Sequence, residues 1–120
     1  MDDAIAAAVV LVAQAGVAAL CYVTTRRAAR GQLGPNGFLG IRTPATRASP
    51  EAWRRGHEAA MLYVRYMPWT AGGCAVLGVV GWILAGPAAA LTVGLVGLAS
   101  AVFLVLFAAV FAQLAAKDVR

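Results

Sequence analysis

The chain has 120 residues, of which 62% are hydrophobic and 12% charged, with a mean hydropathy of +0.78. Soluble domains average about 45–50% apolar and about 25% charged residues, and a chain this short cannot hide so much apolar surface in a water-facing fold. A soluble monomer is excluded on that ground, and a disordered chain on the ground of high hydropathy and low charge. The net charge is +5, and eight of the ten basic residues are arginines between Arg26 and Arg65. With most of the chain in lipid, this basicity points to membrane orientation and anionic headgroups, not to nucleic acid.

Residues 4–25 carry no charge and only Gln14 as a strongly polar member. At 1.5 Å per residue such a run crosses a hydrocarbon core of about 30 Å. Arg26, Arg27 and Arg30 end it, and Tyr22 stands where an interfacial aromatic belongs. Asp2 and Asp3 precede it, where a cleaved signal peptide would carry positive charge, so a retained helix is expected. Residues 31–49 then collect Gly31, Gly34, Pro35, Asn36, Gly37, Gly40 and Pro44. Such residues break regular structure. The turn chemistry and the apolar Phe38, Leu39 and Ile41 predict an ordered loop pressed against the membrane surface.

Ser49, Pro50 and Glu51 form a helix start: a capping hydroxyl, a proline at the first helical position and an acid at the positive end. The helix is expected to run through Trp53 to Tyr66, with Arg54–Glu58 and Glu51–Arg55 paired at spacing four. Trp53, Ala60, Val64 and Met67 make its apolar stripe, and Pro68 permits a kink into the next span. That span covers residues 67–86, with Trp69 and Trp82 near its ends. Gly86-Pro87 is a short turn, and residues 88–116 form the third span, antiparallel to the second. Gly72, Gly73, Gly78 and Gly81, then Ala90/Gly94 and Gly97/Ala101, allow close backbone approach in lipid. Phe103, Phe107 and Phe111 read as packing and lipid contact.

The fold class is therefore an all-α membrane protein. It has three transmembrane helices (about 4–25, 67–86 and 88–116) in a single domain of residues 1–120. An arginine-rich segment, 26–66, contains an interfacial amphipathic helix continuous with or kinked into the second span. The positive-inside rule puts that segment and the C-terminus in the cytoplasm and the N-terminus outside, in a bacterial-type cell membrane. Cys21 and Cys74 have no ligand-type spacing and are expected as free thiols.

Catalytic chemistry finds little support. No charged residue interrupts a span, which disfavours ion-coupled transport by this chain alone. His57 is the only histidine, no metal-ligand spacing surrounds it, and no nucleophile-elbow, Walker or zincin motif occurs. No catalytic residue, cofactor or metal is assigned. Gln14 reads as an interhelical hydrogen-bonding group.

One stretch is too specific for a generic loop: Asn36, then Gly40, Ile41, Arg42, Thr43 and Pro44, then Glu51, Trp53 and His57. It resembles the hallmark of the SdpI family of small integral membrane proteins. There an Asn precedes Gly-(Ile/Leu/Tyr)-Arg-Thr-Pro, followed about ten residues on by an acid and a Trp, then His or Asn. Asn36, Gly40, Arg42, Thr43, Pro44, Glu51, Trp53 and His57 match position by position, and a helical hairpin follows, as in the family. The resemblance implies immunity to a secreted peptide toxin, or signalling by drawing a regulator to the membrane. The founding type is longer, with extra spans ahead of the hallmark, so immunity rests on the resemblance and not on the residues.

The residues themselves leave alternatives open. Arg42 offers a planar cationic fork at headgroup level for a lipid phosphate, a helix C-terminus or a partner's carboxylate. Otherwise Arg42 and Thr43 tie the loop to the ends of the first two spans. Trp53 reads as an interfacial anchor more readily than as a ligand stack, and His57 as a hydrogen-bond partner holding the loop. The partners expected are the anionic bilayer and a protein: a membrane-active peptide, a cytoplasmic regulator or a larger membrane complex in which this chain is an accessory subunit.

Overall fold

A computed structural model describes residues 2–119. Four α-helices and one 3-10 turn account for the regular structure: α1 (Asp3–Ala29), the turn Thr46–Ala48, α2 (Pro50–Val64), α3 (Met67–Ala85) and α4 (Pro87–Lys117). Three helical stretches are long and apolar enough to cross a membrane: α1, α2 with α3 taken together, and α4. The expected spans are thus present. α1 runs a full turn past Thr25, and the bend between α2 and α3 falls at Arg65 and Tyr66, just before Pro68. Pro68 lacks the N–H that would bond back to Val64 and crowds that carbonyl, so the helix restarts at Met67 with the proline in its first turn.

The chain forms two compact units. The first holds α1 up to Ala19 together with Met67–Phe103. Here glycine sets the helix spacing. A β-carbon on Gly78 would lie 2.6 Å from Leu11 Cδ2, one on Gly94 2.7 Å from Val10 Cγ1, and one on Gly97 2.8 Å from Gln14 Oε1. In lipid no hydrophobic force draws helices together, so this close van der Waals fit is what packs them. Gln14 is buried and donates from Nε2 to the Ala71 carbonyl at 3.0 Å, while its Oε1 has no partner among the described residues. Gly86 closes the hairpin at φ +93°, with its N–H bonded to the Trp82 carbonyl and Pro87 opening α4.

The second unit holds Leu20–Tyr66 and α4 from Leu104 onward. α1 ends in a Schellman motif: Gln32 N–H bonds the Arg27 carbonyl at 2.8 Å and Gly31 N–H the Ala28 carbonyl at 3.2 Å, with Gly31 at φ +76°. That motif reverses the chain into the loop. Ser49 caps α2, its Oγ accepting from Ala52 N–H at 3.0 Å. The stripe Trp53, Ala60, Val64 and Met67 is buried, as its spacing predicts. α2 lies against the end of α4: a β-carbon on Gly56 would meet Thr46 Cγ2 at 2.7 Å and the Ala112 carbonyl oxygen at 3.1 Å. Tyr63 stacks on Phe111 and Phe107 at 5.0 and 6.0 Å between ring centroids.

Candidate functional site: the hallmark loop

The loop between α1 and α2 is built from side-chain bonds to backbone, because glycine and proline deny it a helix or strand ladder. Asn36 organises its first half. Its Oδ1 accepts from Phe38 N–H at 2.9 Å and Leu39 N–H at 2.6 Å, and its Nδ2 donates to the Gly34 and Leu39 carbonyls, each at 3.0 Å. Arg42 Nη1 donates to the Gly37 carbonyl at 2.6 Å.

The second half hangs on α2. Trp53 and His57, one helical turn apart, have their rings 4.4 Å apart and are both buried. Trp53 Nε1 donates to the Leu33 carbonyl at 2.8 Å. His57 Nε2 accepts from Ile41 N–H at 2.8 Å. Since that nitrogen accepts, Nδ1 must carry the proton, and it lies 2.7 Å from the Trp53 carbonyl, to which it donates. His57 is therefore the neutral Nδ1–H tautomer. Burial lowers its pKa below the ordinary 6.5, and the bond to the Trp53 carbonyl only partly opposes this.

Gly40 fits between these rings. It sits at φ +97°, and a β-carbon would lie 2.8 Å from Trp53 Cζ2 and 2.9 Å from His57 Nε2. Glycine alone meets both demands, on conformation and on space. The 3-10 turn completes the loop. Thr46, fully buried, donates through Oγ1 to the Ile41 carbonyl at 2.7 Å and accepts from Thr43 N–H at 2.9 Å. Ala45 N–H donates to Gln113 Oε1 of α4 at 3.1 Å.

The eight hallmark positions thus divide. Asn36, Gly40, Thr43, Trp53 and His57 hold the loop in shape. Arg42, Pro44 and Glu51 are exposed. Three expectations need correction. Trp53 is not an interfacial anchor: the loop folds over it and takes its N–H. Arg42 and Thr43 do not tie the loop to the ends of the first two spans. Arg42 closes on the loop's own Gly37, Thr43 on Thr46, and the outward ties run instead through Trp53, His57 and Gln113. Glu51 pairs with Arg54, at 2.6 Å, and not with Arg55; Arg54 also holds Glu58, so one guanidinium serves both carboxylates of α2. Sequence reasoning passed over Gly56, Gln113 and the pairing of Thr43 with Thr46. The mid-helix glycine was the available signal of a close approach.

With Glu51 and Glu58 both engaged by Arg54, the other arginines between Arg26 and Arg65 have no carboxylate partner among the described residues. Also among the described residues, no group of three His, Cys, Asp or Glu side chains is placed to hold a metal ion.

Residues 32–114 match the SdpI/YfhL protein family. The chain belongs to that family. The match begins where α1 ends and takes in the whole hallmark loop, α2, α3 and most of α4. With three membrane-length helices, the chain is a multi-pass member of this membrane family. No curated protein and no solved structure matches it.

Proposed function

We propose that this SdpI-family chain is a non-enzymatic immunity or signalling protein whose working surface is the arginine-rich face of the hallmark loop, turned to the cytoplasm. The observation that carries the reading is the division of the hallmark. Five of its residues lock the loop, and the exposed Arg42 stands on that rigid base among arginines without carboxylate partners. A fixed cationic surface at the membrane suits an acidic partner, whether a membrane-active peptide or a regulator drawn from the cytoplasm, and fixing it lowers the entropic cost of binding. The chain is expected to protect a toxin-sensitive bacterial host from such a peptide, with Arg42→Ala removing protection at unchanged protein level. If the wild-type chain protects against no peptide of a broad panel and holds no regulator at the membrane, the reading fails.

A second reading, an accessory subunit of a larger membrane complex, is favoured by an open groove of about 510 Å³ lined by Pro44, Ala45, Ala48, Gln113, Ala116 and Val119. Purification in mild detergent with quantification of every co-eluting protein separates the two. A large partner at fixed ratio supports the accessory role, and a chain eluting alone or self-associated supports the first.

A further inference from the structure

The reversal after α1 brings the loop back alongside the helix it has just left. A recess of about 150 Å³ is lined by Leu20, Cys21 and Thr24 of α1 and by Phe38, Leu39 and Ile41 of the loop. Those α1 residues belong to the uncharged run that ends at Thr25, ahead of Arg26. At 1.5 Å per residue, Leu20 lies about 9 Å deeper along α1 than Arg26. Phe38 and Leu39 therefore stand below the level of Arg26, Arg27 and Arg30, beside the apolar part of α1.

Two observations fit that depth. Phe38 is 90% exposed and Leu39 41% exposed, although the loop that carries them is held by a dense set of bonds. An aromatic ring presented in this way is costly in water and favourable among acyl chains. Irregular backbone at membrane depth is tolerated only where its polar groups are satisfied within the protein. At this tip only some are, and the N–H groups of Gly37 and Gly40 and the carbonyls of Phe38 and Gly40, without a partner among the described residues, require headgroups or water. Asn36 serves the N–H groups of Phe38 and Leu39 and the carbonyls of Gly34 and Leu39, Arg42 serves the Gly37 carbonyl, and His57 serves the Ile41 N–H.

The geometry points to a lipid-inserted tip: on the arginine side the side chains of Phe38 and Leu39 enter among the acyl chains, while the backbone of residues 36–41 stays at the boundary, where headgroups and water reach its open polar groups. This gives a second role to the hallmark Asn36, which satisfies the backbone beneath the two inserted side chains. The proposal rests on α1 spanning the membrane and is independent of immunity or signalling.

The test uses the wild-type chain in phospholipid vesicles containing a lipid with a diazirine in its acyl chain. After photolysis and trypsin digestion, the peptide 31–42 is expected to carry label on Phe38 and Leu39. The same diazirine on the headgroup is expected to label Gly34 and Pro35 instead. Acyl-chain label absent from Phe38 overturns the proposal. Collision accessibility of a nitroxide provides a second measurement. On Phe38→Cys, in a background with Cys21 and Cys74 replaced, the label is expected to collide with oxygen several-fold more than with a water-soluble nickel chelate, and one on Arg55→Cys to show the reverse. Nickel accessibility at position 38 equal to that at 55 overturns the proposal, as does protection from both reagents, which would mean that protein covers the tip.

Discussion

Replacing Gly40 by alanine should release the hallmark loop from α2. The residue sits at φ +97°, where a β-carbon costs about 1–2 kcal/mol. The new methyl would lie 2.8 Å from Trp53 Cζ2, 2.9 Å from His57 Nε2 and 3.0 Å from Trp53 Cη2. Neither ring can swing aside freely, since Trp53 is bonded to Leu33 and His57 at both nitrogens. Overpacking of this kind costs about 1–3 kcal/mol, and losing the Ile41–His57 bond adds about 1 kcal/mol. Together these reach about 3–6 kcal/mol, and at 1.36 kcal/mol per factor of ten the closed loop falls at least about a hundredfold relative to open forms. Hydrogen exchange read by mass spectrometry reports this directly: amides of residues 38–43 should lose protection while the spans keep theirs. Gly37→Ala is the control, because a β-carbon there meets nothing within 4 Å and the residue has no positive φ. Equal protection of the loop in the two variants would refute the account of Gly40 as a wedge-shaped vacancy between two rings.

Acid should loosen the same loop. His57 accepts from Ile41 only while neutral, and its folded pKa is lowered by burial, so an opened chain takes up the proton first. The stability from neutral His57 is full above about 6.5 and declines as pH falls towards and through the folded value. Loop protection measured between pH 8 and pH 5 should therefore fall on the acid side, and His57→Gln should flatten the profile. Gly56→Ala should destabilise the junction of α2 with α4 despite a gain of about 1 kcal/mol in helix propensity. The added methyl meets the Ala112 backbone as well as Thr46, and a raised thermal midpoint in detergent would contradict this. Gln14→Leu should change stability by less than about 1 kcal/mol, because it removes one interhelical bond worth about 0.6 kcal/mol together with a buried acceptor that has no partner. A large loss in a denaturing-detergent titration would mean that Oε1 is engaged after all.

The helices were legible because they are local. Uninterrupted apolar runs, arginines at their ends, Ser49 before Pro50, and Gly86 before Pro87 each act within a few residues. The loop was only partly legible. Its hallmark residues stood out as a set, but their roles depend on which part of the chain folds over which. Trp53 near a membrane reads as a belt aromatic until the loop closes on it. Arg42 reads as a reaching cation until Gly37 offers a carbonyl five residues back. Spacing alone also allows Glu51 either arginine, and Arg54 wins because it reaches Glu58 as well. Gln113, sixty-eight residues from Ala45, was beyond any local signal.

Leu33 and Ile41 are fastened to Trp53 and His57, two residues on successive turns of one helix. The stretch between them is thus a closed ring with α2 as its clasp, and closing so short a ring costs little chain entropy. Ring and clasp share their rigid-body motion, so a displacement of α2 carries the tip with it while the bonds to Trp53 and His57 hold.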